Sequence, residues 1–257
     1  MIRPATPADL AAMAAWQCRY VPDGLFPQMG ERFVRRWHGS FLDSPYGVAL
    51  VAERHGAAGT TDTVANVSAG KGSATNGTTA GAAARRDAAE PIGFLVGSTD
   101  QVRHVEEVVR SHRTRLASAG LVALAARPRL AAHFIRTRAR AYLSRILGNA
   151  SAVGPQPADS ADSGASAAQT ITTAADQVAV ITAVAVDTAA RGSGAGQLLV
   201  ERFLEVARAA GAPRAELVAM LSEGSAAPFY DRLGWIPVGE HSTRDGSLAR
   251  TYRYDLS

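Results

Sequence analysis

Ile181-Thr182-Ala183-Val184-Ala185-Val186-Asp187, then Thr188-Ala189-Ala190, then Arg191-Gly192-Ser193-Gly194-Ala195-Gly196, is the stretch whose reading decides the fold. The first part, small and β-branched, reads as a strand. The run that follows Gly196 carries Leu199, Phe203 and Val206 at helical spacing, so it reads as an amphipathic helix. The unit is strand, glycine-rich turn, helix. Alternate glycines at a helix start free backbone N–H groups to point at one anion, and the helix dipole adds partial positive charge there. Arg191 sets a full positive charge at the mouth of the turn. A phosphorylated ligand is the expectation. The competing one is a glycine-rich connection that holds nothing, because a glycine turn alone is a weak signal.

Three phosphate sites are worth comparing. The NTPase loop needs Lys and then Ser or Thr after its last glycine, whereas Gln197-Leu198 follow Gly196 here. A dinucleotide fingerprint needs G-x-G-x-x-G and an acid closing the next strand. The glycines fall instead at 192, 194 and 196, and Glu216 opens the next strand, Glu216-Leu217-Val218-Ala219-Met220. The third pattern is Arg191-x-x-Gly194-x-Gly196 after a strand, with Ala226-Ala227-Pro228-Phe229-Tyr230-Asp231-Arg232-Leu233-Gly234-Trp235 downstream.

Together these two segments resemble the acyl-CoA loop and the A-x-x-F-Y-x-x-L-G-F segment of the GNAT family of N-acetyltransferases. The resemblance covers about 1–54, 91–100 and 178–257 and leaves 55–90 and 101–177 unexplained. It implies an α/β fold: a mixed, mostly antiparallel seven-stranded sheet flanked by helices, here with a helical insertion between the third and fourth strands. It implies acetyl-CoA as cosubstrate, its nucleotide end held by Arg191, Gly192, Ser193, Gly194, Ala195, Gly196 and Gln197. Its pantetheine arm would pair with the backbone near Val184, Ala185 and Val186, where an amide can also polarise the thioester carbonyl. Tyr230 matches the tyrosine that protonates the leaving thiolate; the other reading of it is a core tyrosine with a bonded hydroxyl. Val184 to Val186 lie on a strand without the Glu that many members carry, so no base is named beyond Thr182 or a water chain. Glu223 stands where the family often has Asn, seven residues before Tyr230.

The reading that results is transfer of an acetyl group from the CoA thioester to a primary amine by direct attack, with a small-molecule or peptide acceptor. A CoA-binding regulatory module with weak catalysis is the alternative, and a nucleotide-dependent oxidoreductase a more remote one. No metal is expected: the six histidines show no ligand spacing with Cys or carboxylates, and His38, His133 and His241 are only weak candidates for a base. No nucleic-acid partner and no membrane contact are expected, and a homodimer is allowed.

Composition sets the remaining bounds. At 257 residues the chain can bury a sizeable core as one domain with insertions. Its hydrophobic fraction of 47% fits a globule, and no apolar run approaches a membrane span. The first residues lack the apolar core of a leader, and the single cysteine, Cys18, rules out an internal disulfide. A cytoplasmic location is therefore expected. Lys71 is the only lysine among the 27 basic residues, which with the Ala and Gly usage suggests a GC-rich bacterial source. The net charge of +4 suits an anionic ligand and is too diffuse to argue for nucleic acid.

Along the chain, Met1–Ala5 reads as a strand. Thr6-Pro7-Ala8-Asp9 reads as a helix start, with Thr6 as N-cap, and Leu10, Met13, Ala14 and Cys18 mark one face. A second helix, about 30–42, carries Phe33, Val34, Trp37 and Phe41; a strand follows at 47–54. Asp23 and Glu31 flank the loop that borders the acceptor in the family. Residues 55–90 and 149–177 are low-complexity loops. Between them lie a strand at 91–98 and a helical insertion over 101–148. The insertion reads as a helix at 101–118, a short one at 119–126, and a third at 129–147 whose polar side carries Arg136, Arg138, Arg140 and Arg145. Strands at 178–187, 214–221, 235–240 and 250–256 complete the sheet, the last two as a hairpin, with a helix at 224–233.

Overall fold

A computed structural model describes residues 1–54, 90–125, 177–222, 224–243 and 246–257. Seven strands form one sheet in the order β1-β2-β3-β4-β5-β7-β6. In chain order these are β1 (Ile2–Pro4), β2 (Gly47–Arg54), β3 (Glu90–Ser98), β4 (Val178–Val186), β5 (Arg214–Met220), β6 (Ile236–Ser242) and β7 (Leu248–Asp255). The helices are α1 (Leu10–Tyr20), α2 (Leu25–Met29), α3 (Glu31–Asp43), α4 (Gln101–Ala125), α5 (Ala195–Ala209) and α6 (Ala227–Arg232). Only the β4–β5 pair is parallel, as the crossover through α5 requires; every other pair is antiparallel. This is the mixed sheet that the sequence implies.

Each face of the sheet has its own core. On one, α5 buries Leu199, Phe203 and Ala207 against Leu50, Leu95, Ile181, Leu217 and Tyr252. Gly97 makes that approach possible, since a Cβ there would meet Phe203 at 2.7 Å and the Val180 carbonyl oxygen at 2.5 Å. On the other, α1 and α3 bury Met13, Val34, Trp37 and Phe41 against Val51, Phe94, Val96, Ala183 and Ala185. The apolar positions read from the sequence in α3 and α5 therefore reach the core, with Val206 only partly buried. At about 25 cal/mol per Å² of apolar surface removed from water, such faces supply most of the drive to fold.

Three local expectations are corrected. Thr6 is not an accepting cap: its hydroxyl and its N–H both donate to Asp9 Oδ2, each at 2.7 Å, and α1 begins only at Leu10. Asp9 is drawn this way because Arg3 grips it with two nitrogens, at 2.7 and 2.9 Å, while Arg3 Nε holds Glu53 at 2.6 Å. The helices expected at 101–118 and 119–126 are one continuous α4. Val102, Val105 and Val109 are exposed, while Gln101, His104, Ala119 and Ala123 are buried. The phase is set at the start of the helix. Asp100 Oδ1 caps the Arg103 N–H at 3.0 Å, and Ser98 Oγ donates to Gln101 Oε1 at 2.5 Å. His104 stacks on Phe41 with centroids 4.5 Å apart and lies 3.0 Å from Ser44 Oγ. Finally, the loop between Asp23 and Glu31 contains a five-residue helix, α2. The tracts 55–89 and 149–176, the Arg136–Arg145 stripe, His133 and Glu223 lie outside the described residues.

Candidate active site

The site grows from an interrupted strand pairing. β4 and β5 pair only from Val178↔Arg214 to Val180↔Glu216. Beyond that, β4 continues to Val186 held by β3 alone, and β5 continues to Met220 held by β7 alone. A wedge therefore opens along β4 from Ile181 onward. At its apex β4 carries one extra residue: Val96 faces Ala183 and Gly97 faces Ile181, so Thr182 has no partner on β3. Such a bulge raises the local twist and turns the strand. It also inverts which face each β4 side chain serves. Ala179 and Ile181 lie in the α5-side core, and past Thr182 it is Ala183 and Ala185 that lie in the opposite core. The Thr182 hydroxyl is buried and has no hydrogen-bond partner among the described residues.

The ladder decides which backbone groups face the wedge. Asp187 N donates to the Ile92 carbonyl at 2.8 Å, and antiparallel ladders alternate. Ala183, Ala185 and Asp187 therefore turn their N–H and C=O groups to β3. Val184 and Val186 turn theirs toward the wedge. Of the three residues that the resemblance offers for pantetheine pairing, Ala185 turns its amide to Phe94, its partner in the register, while those of Val184 and Val186 face the wedge.

The wedge runs into the glycine-rich turn. Asp187 Oδ1 accepts from Ala189 N at 2.9 Å and caps a single 3₁₀ turn, Thr188–Ala190. Arg191 N and Ser193 N close back on Thr188 O and Ala190 O, each at a long 3.3 Å. Gly192 and Gly194 have φ of +80° and +81°, where any Cβ is strained. Gly194 is the N-cap of α5, so Ala195, Gly196 and Gln197 present first-turn N–H groups that the helix itself cannot use, that of Ala195 meeting Ser193 Oγ at 3.4 Å. Gly196 lies under α6: a Cβ there would be 3.5 Å from Phe229 Cζ and 3.6 Å from Val186 Cγ2. Loop, strand end and α6 thus meet at one point. The Gln197 side chain does not turn to the loop; its Nε2 donates to Glu201 at 2.8 Å. Arg191 is exposed, its Cζ 5.5 Å from the Tyr20 ring centroid.

Tyr230 sits on α6, 5% exposed, packed edge-on against Trp235 and tilted on Tyr252 at 5.8 Å. Burial pushes its phenol well above the ordinary tyrosine value, so it carries its proton throughout the neutral range. Its hydroxyl makes no hydrogen bond among the described residues. The Tyr252 hydroxyl, in contrast, donates to Asp231 Oδ1 at 2.9 Å and accepts from Arg250 at 3.3 Å, which ties the short α6 to β7.

The other candidates are placed apart. Glu216 is 3% exposed and lies 3.1 Å from both Arg214 and Arg253, so it is unavailable to a ribose. His38 is fully buried, its Nε2 2.5 Å from Gln17 Oε1 and its pKa lowered to about 3 by burial. A base in that position cannot meet a substrate. Asp23 and Glu31 are exposed at the α1–α3 end. Among the described residues no cluster of His, Cys, Asp and Glu could hold a metal, and no helix is long and apolar enough to cross a membrane. Sequence reasoning missed the bulge at Thr182 and the contact between Arg191 and Tyr20. Neither has a local signal, since both arise where distant segments meet.

Comparison with known proteins agrees with the segment from which the reading started. Residues 158–235 match the model described as the acetyltransferase (GNAT) family. No curated protein matches the chain. Among solved structures, an N-acetyltransferase from Staphylococcus aureus Mu50 is 13% identical with a TM-score of 0.49, covering 100% of this chain and 98% of that one. Ard1 from Thermoplasma volcanium is 14% identical, TM-score 0.47, over 100% and 97%. An aminoglycoside 6'-N-acetyltransferase complexed with coenzyme A is 9% identical, TM-score 0.48, over 100% and 97%.

Proposed function

We propose that this chain, whose residues 158–235 match the acetyltransferase (GNAT) family model, transfers the acetyl group of acetyl-CoA to a primary amine by direct attack. The observation that carries it is the wedge. β4 parts from β5 after three residue pairs and leads, through Val184 and Val186, straight into the glycine turn at the start of α5. An extended amide-bearing arm with phosphates at one end fits that path from the open edge of β4 to the first turn of α5. The turn would take the phosphates through first-turn amides and the helix dipole. Val184 and Val186 would pair with the arm as an added strand does.

In the reaction the amine nitrogen attacks the thioester carbonyl carbon, the C–N bond forms and the C–S bond breaks. A β4 amide facing the wedge is suited to the developing oxyanion. Tyr230 gives its phenolic proton to the departing thiolate, and the proton lost by the amine restores it through water. The phenol keeps its proton at neutral pH and belongs to α6, whose neighbouring Phe229 ring lies against Gly196 of the loop.

Thermal unfolding with acetyl-CoA, with NAD and ATP as controls, tests the ligand. At about a hundred times its dissociation constant, acetyl-CoA should add roughly 2.7 kcal/mol. Thiol release on adding amines then tests the reaction. A shift with NAD and none with acetyl-CoA refutes the reading.

A further inference from the structure

Two guanidinium groups share one aromatic ring at the mouth of the glycine turn. The Arg19 Cζ lies 5.3 Å and the Arg191 Cζ 5.5 Å from the centroid of Tyr20, the last residue of α1. The two charges are thus at most about 11 Å apart, although they belong to segments 172 positions distant in the chain. Neither has a carboxylate within ion-pair reach among the described residues. Arg3, Arg214, Arg250 and Arg253 all do. Like charges repel, and among the described residues only the face of the ring offsets this pair. An exposed pair of guanidinium groups, one of them on the glycine turn that leads into α5, matches a phosphate in charge and in donor geometry.

We propose that Arg19, Tyr20 and Arg191 form a clamp on the phosphate end of the cosubstrate. Arg19 and Arg191 bind phosphate oxygens from the α1 side while the turn amides bind from the α5 side. Tyr20 is a positioning residue: its ring holds both side chains at the turn and limits the rotamer freedom they would otherwise lose on binding. The proposal rests on the acetyl-CoA reading and extends it to a helix on the other face of the sheet. It also makes selectivity depend on phosphate, so that a thioester without phosphates gains nothing from the clamp.

The test compares acetyl-CoA with acetyl-pantetheine, which carries the same thioester and no phosphate. Binding of acetyl-CoA is measured calorimetrically, and kcat/KM for both donors with one fixed amine, in wild type, Arg19→Gln, Tyr20→Leu and Tyr20→Phe. Loss of one charged contact should weaken acetyl-CoA about tenfold in Arg19→Gln, lower its preference over acetyl-pantetheine by the same factor, and flatten its salt dependence. Tyr20→Leu should lose a similar factor, and Tyr20→Phe, which keeps the ring, should recover it. Arg19 is exposed, so its variant folds even if Tyr20→Leu does not. Wild-type affinity for acetyl-CoA in Arg19→Gln, or an equal loss for both donors, overturns the clamp and leaves the acetyl-CoA reading standing. A wild-type protein that binds no acetyl-CoA overturns both.

Discussion

The two edges of β4 make opposite uses of one strand. Toward β3 the strand is paired from Val180 to Val186, interrupted only at Thr182, and its neighbour Phe94 is fully buried. Toward β5 it is paired for three residues and then left open. The residues are of the same kind on both edges: Ala183 and Ala185 on one alternation, Val184 and Val186 on the other. Side-chain chemistry does not separate scaffold from site here. The direction of the N–H does, and a single bulge residue sets where the change falls.

Tyr230→Phe gives the largest expected effect, because it removes the group assigned to the open side without touching the paired one. The ring packing is kept and no hydrogen bond among the described residues is lost. If the phenol is the general acid, kcat should fall by about 10² to 10⁴ with acetyl-CoA affinity preserved. A change of less than about threefold assigns the proton to water and leaves Tyr230 as core.

Proline substitutions test the two edges directly. In Ala185→Pro the ladder N–H to β3 goes, and a buried carbonyl loses its partner at a cost of about 1–3 kcal/mol, read as a lowered urea midpoint. In Val184→Pro the missing N–H faces the wedge. Stability should fall less, and acetyl-CoA affinity should fall by about tenfold or more. If the two variants behave alike, the assignment of edges by alternation is wrong.

Acid sharpens the contrast between the faces of the sheet. His38 packs on Phe94 with centroids 5.3 Å apart, and His104 on Phe41; burial lowers their pKa values to about 3 and about 4. Both are neutral when folded and bind protons more readily when unfolded. The unfolded state thus holds more protons below the free histidine value of about 6.5, and stability must fall as pH drops from there toward 4. The slope for each histidine approaches about 1.4 kcal/mol per pH unit. Denaturant midpoints at pH 7, 6 and 5 should show it, and His104→Gln should remove about half. A flat profile means that these rings are solvated.

Much of this was legible in the residues, for reasons that also say where legibility stops. The strand, turn and helix at 181–210 stand out because hydrophobic period, glycine positions and helix propensity agree there. So do Phe33, Val34, Trp37 and Phe41, a clear apolar face that reaches the core. α4 misleads because its buried face is built from Gln101, His104 and small residues, while Val102, Val105 and Val109 are exposed. Its phase comes from the Asp100 cap and the Ser44 contact, which no periodicity reports. The bulge at Thr182 and the Tyr20–Arg191 contact are products of register and long-range packing. The sequence motif names the loop residues, but it cannot tell the Ala185 amide from those of Val184 and Val186, since the difference is one of direction.

The smallest effect tests whether the glycine turn is more than a turn. Gly194 and Gly211 share nearly the same backbone, φ +81° and +80°, and a Cβ on either would meet nothing within 4 Å. Gly194 starts α5 and Gly211 follows its end. Alanine at either position bears the same left-handed strain, about 1 kcal/mol, so thermal midpoints should fall by similar amounts. Binding should separate them. Gly194→Ala shifts the amides of Ala195, Gly196 and Gln197 and should weaken acetyl-CoA by several-fold, whereas Gly211→Ala, at the far end of the same helix, should bind as wild type does. Equal binding in both variants would make the loop a helix cap alone, and the phosphate would then have to be held elsewhere along the open edge of β4.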